Sequence, residues 1–293
     1  MTKITILDGG MGRELKRMGA PFKQPEWSAL ALMEAPETVT QAHQSFIDAG
    51  AEVITTNTYA LVPFHIGWDR FNEQGRELIS LAATIAKDVA GNNVKVAGCI
   101  PPLFGSYAPD DFDGEKAPDL LKPLIEEQQD FVNVWLVETT SAIQEAQMAY
   151  DHLKNTNKPI WISFTVSERE DKNTTVRNRS GETIEDCAKA LKNMKGVEAI
   201  LFNCSQPEEM EDAILAAKNV LSDAMQIGAY ANTFAEAQDN NEANDGLTEM
   251  RNELTPELYL EFAKKWCSDG ASIIGGCCGI GPEHIEALAK EFV

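Results

Sequence analysis

Eight times along this chain, a short run rich in Val, Ile and Leu is followed by a stretch whose apolar residues recur at helical spacing. That alternation constrains the fold more than any other feature. Strands joined through helices pair in parallel, and strands covered on both faces read as unbroken apolar runs. Eight such units in 293 residues, with no linker between them, predict an α/β protein. Its expected architecture is a (β/α)8 TIM barrel forming a single domain over residues 1–293. The expected strands are 2–7, 51–55, 93–100, 133–137, 158–164, 197–203, 225–230 and 271–274. Residues 24–35 read as a connecting segment and 71–90 as a long helix burying Leu78, Leu81, Ile85 and Val89. Residues 120–132 read as helical, and Leu258, Phe262 and Trp266 as the core face of a later helix. Thr183 with Asp186, and Thr255 with Pro256, have the form of helix starts.

In such a barrel the strand C-termini carry the chemistry, and several hold polar residues. The first strand runs into Asp8-Gly9-Gly10-Met11-Gly12, the second into Thr56-Asn57-Thr58-Tyr59, and the fourth into Glu138-Thr139-Thr140. Asp8 reads either as a turn aspartate or as a carboxylate that holds an amine. Glu138 reads either as a charge in the first turn of the next helix or as a second such carboxylate. The glycines after Asp8 match neither GxGxxG nor a P-loop, which excludes a nucleotide site of those types.

The sixth strand ends at Asn203-Cys204, and the eighth leads into Gly275-Gly276-Cys277-Cys278-Gly279. Neighbouring side chains of a strand point to opposite faces, so two adjacent cysteines reach one object only where the backbone leaves strand geometry. Flanking glycines permit that. Cys204, Cys277 and Cys278 would make a three-cysteine half-cage for zinc with one position open, the catalytic pattern. The alternatives are a redox pair or a structural zinc clip. A redox pair is more often Cys-x-x-Cys, and a structural site normally shows a fourth close Cys or His. Cys99, Cys187 and Cys267 read as small apolar fillers. His43, His65, His152 and His284 receive no catalytic role.

The formal net charge of -21 argues against nucleic-acid and anionic-membrane partners. The sequence shows neither an apolar run of membrane-spanning length nor a signal-peptide pattern, so a cytoplasmic location is expected. Six cysteines in a chain this long do not read as a disulfide framework. The acidic, Asn-rich stretch from Glu236 to Glu253 is expected to be a surface loop.

Taken together, these stretches resemble the homocysteine S-methyltransferases over essentially the whole chain. The resemblance rests on Leu7 to Gly12 with Glu14-Leu15, on Thr56 to Tyr59, on Glu138-Thr139, on Asn203-Cys204 and on Gly275 to Gly279. It implies zinc held by Cys204, Cys277 and Cys278, which serve as both metal and catalytic residues. It also implies homocysteine contacts from Asp8, Gly9, Gly10, Asn57, Glu138 and Asn203. Relatives often carry Tyr-Pro-Asn after strand seven, where this chain has Tyr230-Ala231-Asn232. The family uses sulfonium, betaine or methylfolate donors. Ending at Val293, the chain is expected to have no folate or cobalamin module and no betaine-type extension. The expected reaction is methyl transfer from S-methylmethionine or S-adenosylmethionine to homocysteine, giving methionine. The alternatives are a betaine-dependent or other-thiol or selenol methyltransferase on the same fold, or a non-enzymatic zinc or redox protein.

Overall fold

The computed structural model describes residues 3–221, 225–234 and 250–293. In chain order the elements are β1 (Thr5–Ile6), α1 (Met11–Arg17), α2 (Ser28–Glu34), α3 (Pro36–Asp48), β2 (Val53–Thr55), α4 (Pro63–Ile66), α5 (Trp68–Ala90), β3 (Lys95–Ile100), α6 (Ala117–Glu126) and β4 (Val134–Thr140). They continue with α7 (Ile143–Leu153), β5 (Ile160–Phe164), α8 (Ile184–Leu191), β6 (Val197–Asn203), α9 (Pro207–Val220), β7 (Gln226–Tyr230), α10 (Pro256–Asp269), β8 (Ile273–Ile274) and α11 (Pro282–Phe292). All eight strands pair in parallel in the order β1-β8-β7-β6-β5-β4-β3-β2. A bridge between Leu7 and Val53 links the first and second strands and completes the ring. This is the expected TIM barrel.

Alternation along the strands sorts side chains into two cores. Ile54, Val96, Trp135, Ile162, Ile200 and Ile274 face outward under the helices. Leu7, Val53, Leu136, Trp161, Leu201 and Ile273 fill the barrel interior. The same inward register, continued toward the strand C-termini, carries Thr55, Cys99, Glu138, Ser163, Asn203 and Tyr230. An apolar barrel is therefore topped by a polar layer. Among the described residues, no helix is long and apolar enough to cross a membrane.

Several expected elements shift. Residues 28–34 of the expected connector form α2, whose Ala29, Leu30, Ala31 and Leu32 are all buried. A helix buried nearly all round has no apolar stripe to read. α5 begins at Trp68 and buries Leu78, Ile79, Ala82, Ala83 and Ala86, leaving Leu81 and Ile85 half-buried. α6 ends at Glu126, six residues before the expected limit. On α10 the core face is Tyr259, Ala263 and Trp266, while Leu258 is exposed. β4 runs through Thr140, so Glu138 belongs to a strand and not to a first helical turn. Thr183 accepts from Asp186 N and Thr255 from Leu258 N, as expected of helix caps. Of the acidic stretch from Glu236 to Glu253, residues 236–249 lie outside the described residues.

Beneath the β3–α6 loop is a cavity of about 20 Å³, roughly one water in size, lined in part by Thr140, Glu145 and Met148. Burial raises the Glu145 carboxyl to about 7, helped by nearby Glu182 and opposed by a hydrogen bond from Ser141 N. A carboxyl raised on folding favours the native state below its unfolded value, and that contribution is lost as pH rises through 7. We expect Glu145→Gln to match the wild type near pH 4.5. By pH 8 it should exceed the wild type by about 1–3 kcal/mol in urea denaturation. Parallel stability curves across that range would contradict the assignment.

Candidate metal and substrate site

The C-terminal rim of the barrel brings three sulfurs together. Cys204 follows β6 and takes a left-handed backbone, φ +48°. A non-glycine residue in this region is uncommon, and here it turns the side chain out of the strand register. Cys277 and Cys278 follow β8. Cys277 N donates to Ala231 O, Thr233 N to Cys278 O, and Ile280 N to Cys277 O, so the loop is pinned on both sides. Tyr259 of α10 reaches up to the same place. Its hydroxyl donates to Gly275 O at 2.7 Å and accepts from Ala231 N at 3.0 Å.

The sulfurs of Cys204, Cys277 and Cys278 all lie within 4.8 Å of one another. Those of Cys204 and Cys277 are in direct contact as a disulfide pair, with Cα atoms 5.7 Å apart. The sequence did not lead us to expect a disulfide here. The pair and a metal ion exclude each other, because a thiolate engaged in a disulfide cannot ligate. In the reduced state the trio suits zinc: bonds of about 2.3 Å in tetrahedral array place sulfurs about 3.8 Å apart. Three soft donors and, among the described residues, no fourth Cys, His, Asp or Glu in the cluster leave one position for a ligand. Burial raises the Cys278 thiol to about 11, and Arg13 opposes that rise.

Gly9 and Gly10 make this cluster possible. A Cβ on Gly10 would stand 2.5 Å from Cys277 O and 3.0 Å from Cys278 Cα, and one on Gly9 would collide with Ile280 O. Asp8 lies just before them. Its carboxylate accepts from Thr55 N at 2.7 Å and from Thr55 Oγ1 at 3.2 Å. Burial nevertheless pushes the Asp8 carboxyl up to about 8, with Glu138 adding to the rise.

Glu138 sits on the inner face of β4, where the pairing to β5 shifts register between Val137 and Thr140. Thr139 there has φ +55°. A bulge of this kind re-aims a side chain. Burial raises the Glu138 carboxyl, while Cys99 and Tyr230 lower it. Among the described residues, no cationic side chain pairs with Asp8 or Glu138. Asp8 is buried and Glu138 half-buried, and carboxylates so enclosed without a counter-ion are costly, a cost that a cationic ligand would relieve.

Two of the expected substrate contacts are engaged by the protein itself. Asn203 accepts from Ser163 Oγ at 2.7 Å and Thr139 N at 3.1 Å, and donates to Thr139 Oγ1 at 2.9 Å. It thus straps the two left-handed residues, Thr139 and Cys204, to one another. Asn57 Nδ2 donates to Ser28 O at 3.2 Å, tying the β2 loop to α2. Two aromatic–guanidinium pairs at the rim were not anticipated: Arg179 lies 5.1 Å from the Tyr107 ring centroid and Arg13 lies 5.7 Å from that of Phe234. The histidines stay apart from the chemistry. His43 is fully buried, with a pKa lowered to about 4 by burial, and His284 bonds Leu254 O and Gly281 N.

Comparison with known proteins agrees with this layout. Selenocysteine methyltransferase of Astragalus bisulcatus is 28% identical over 98% of this chain and 92% of its own length. Homocysteine S-methyltransferase 1 of Arabidopsis thaliana is 27% identical over 98% and 93%. Among solved structures, the metallated form of the Escherichia coli homocysteine methyltransferase MmuM superposes with a TM-score of 0.80 at 23% identity, covering 99% of this chain and 96% of that one. The family model for homocysteine S-methyltransferase matches residues 5–292. The chain therefore belongs to the homocysteine S-methyltransferase family.

Proposed function

We propose that this protein transfers a methyl group from a sulfonium donor, S-methylmethionine or S-adenosylmethionine, to the thiol of L-homocysteine. The observation that carries the reading is the pairing of three sulfurs within 4.8 Å with two carboxylates, Asp8 buried and Glu138 half-buried, that lack a cationic partner among the described residues. The first suits a thiol ligand held through a metal; the second suits an ammonium group. Homocysteine offers both.

Cys204, Cys277 and Cys278, as thiolates, would hold zinc, which would keep the substrate sulfur deprotonated at neutral pH. Asp8 and Glu138 would take the ammonium group and so fix the direction in which the sulfur presents itself. Gly9 and Gly10 keep the space beside the cysteines clear. Attack of a thiolate on a sulfonium methyl group cancels charge, so a dry rim favours it. The new S–CH3 bond forms as the donor's S–CH3 bond breaks, and the donor leaves as a neutral thioether. No general base is needed at that step, and among the described residues no histidine joins the cysteine cluster. Holding the two sulfurs in line supplies the entropic part.

A selenol acceptor is the second reading. The plant selenocysteine methyltransferase, at 28% identity over nearly the full chain, supports it. Direct competition between L-homocysteine and L-selenocysteine for one donor under reducing conditions decides between them by the ratio of kcat/KM values.

The ligand set makes a sharp prediction. Cys204→Ala, Cys277→Ala and Cys278→Ala should each reduce zinc from about one per chain to near zero. Methionine formation should fall by more than the ~100-fold typical of an outer-shell change. Cys187→Ala, on α8, should keep both. Full zinc and activity in any of the first three variants would remove that residue from the set. Gly10→Ala should also cost zinc affinity, because its Cβ meets the Cys277 and Cys278 backbone. Competition with a chromophoric chelator would measure this, and unchanged affinity would show that the loop can yield.

A further inference from the structure

We infer that Cys99 is a positioning residue that aims the Glu138 carboxylate at the substrate's ammonium group. Cys99 lies on the inner face of β3, fully buried, and its thiol donates to Glu138 Oε2 at 3.1 Å. The inference rests on the proposed role of Glu138 in holding homocysteine.

The backbone of Cys99 is held from both sides, which fixes where its side chain starts. Its N–H donates to Thr56 Oγ1 at 2.9 Å. Its carbonyl accepts from Thr58 Oγ1 at 3.0 Å and from Gln128 Nε2 at 3.2 Å. Gln128 is itself tied to Leu124 O at 2.7 Å and accepts from Thr56 Oγ1 at 2.7 Å. The Thr56 and Thr58 hydroxyls thus serve Cys99.

Glu138 needs such a restraint. Its side chain has three rotatable bonds, and it stands at a bulge. Ser163 and Asn203, the polar neighbours on the adjacent strands, bond to each other. Tyr230 faces the same space from β7, and its buried hydroxyl interacts with the Glu138 carboxylate. Burial and the adjacent carboxylate raise the Cys99 thiol well above its ordinary value, so it stays protonated and donates. A charged acceptor makes this a stronger hydrogen bond than a neutral pair would be.

The test is calorimetric titration of the reduced, zinc-loaded protein with two ligands, L-homocysteine and 4-mercaptobutanoate, the same thiol without the amine. Cys99→Val removes the donor and adds one methyl group, Cys99→Ala removes it with less bulk, and Cys99→Ser replaces it. Zinc content and melting temperature identify folded variants. We expect Cys99→Val, or Cys99→Ala if Val is not accommodated, to weaken homocysteine about tenfold and leave 4-mercaptobutanoate within about twofold. Cys99→Ser should restore the preference for the amine. Equal weakening of both ligands, or no change in either, would overturn the positioning role. Glu138→Gln separates the two layers of the argument. If it leaves homocysteine unaffected, the Glu138 assignment fails and Cys99 falls with it. If it weakens homocysteine while the Cys99 variants do not, Cys99 alone is wrong.

Discussion

Closure of the barrel between β1 and β8 is the constraint on which the rest depends. Thr5 pairs with Ile273 and Ile6 with Ile274, and Leu7 reaches across to Val53. These pairings are very short, yet they bring the two ends of the chain together. Directly above them, Gly276 N donates to Asp8 O at 3.0 Å and Gly10 N to Ile280 O at 2.9 Å. The Asp8-Gly9-Gly10 turn and the cysteine loop are one unit made from opposite ends of the sequence. Their approach is so close that neither Gly9 nor Gly10 has room for a Cβ. Glycine loses more freedom on folding than any other residue, so adjacent glycines here are a cost accepted for contact distance.

The remaining site residues arrive by a second route, across the barrel. An apolar interior cannot take polar side chains without partners. The upper layer solves this by pairing strand with strand: Thr55 with Asp8, Cys99 with Glu138, and Ser163 and Thr139 with Asn203. The Asn203 strap also explains how two strained residues persist. Thr139 and Cys204 both have positive φ, which for residues with a Cβ costs of the order of 1–3 kcal/mol each. One side chain fixes the peptide of the first and lies next to the second. The strain turns Glu138 and Cys204 out of regular strand geometry and toward the rim.

What the sequence showed and what it hid follow from the range of each interaction. Strand order and strand ends were legible, because an apolar run bounded by polar residues is a local pattern. β6 was read to its residue limits, since Asn203-Cys204 marks where the apolar run stops. The cysteine trio was legible for a different reason: adjacent cysteines between glycines have few structural explanations. α2 was hidden because burial on all sides leaves no periodicity. The face of α10 was misread because hydropathy ranks Leu258 above Tyr259. The decisive contact is a hydroxyl reaching Gly275 O on another element. Cys99 looked like a filler because its partner lies 39 residues away, on a strand whose end was itself placed too early. Had β4 been carried through Thr140, alternation would have put Cys99 and Glu138 on the same inner face of neighbouring strands. That signal was present but needed the register to be seen.

Electrostatics then narrows what such a site can hold. On the proposed reading, zinc with three thiolates carries net charge -1, and the substrate thiolate makes it -2. Asp8 and Glu138 stand nearby, in a protein whose formal charge is -21. An anionic or phosphorylated donor would approach against that field. A sulfonium approaches with it, and so does the ammonium end of homocysteine. The two cations have separate places to go, because the carboxylates lie within the polar layer while the thiolates lie on the rim above it. On the proposed reading, charge at the rim would be consumed by methyl transfer, whereas charge in the layer would not. On that reading a neutral thioether product would lose its attraction to the rim yet keep its ammonium contact with Asp8 and Glu138. Product release would then depend on those two carboxylates, and with them on the Cys99 thiol that donates to one of them.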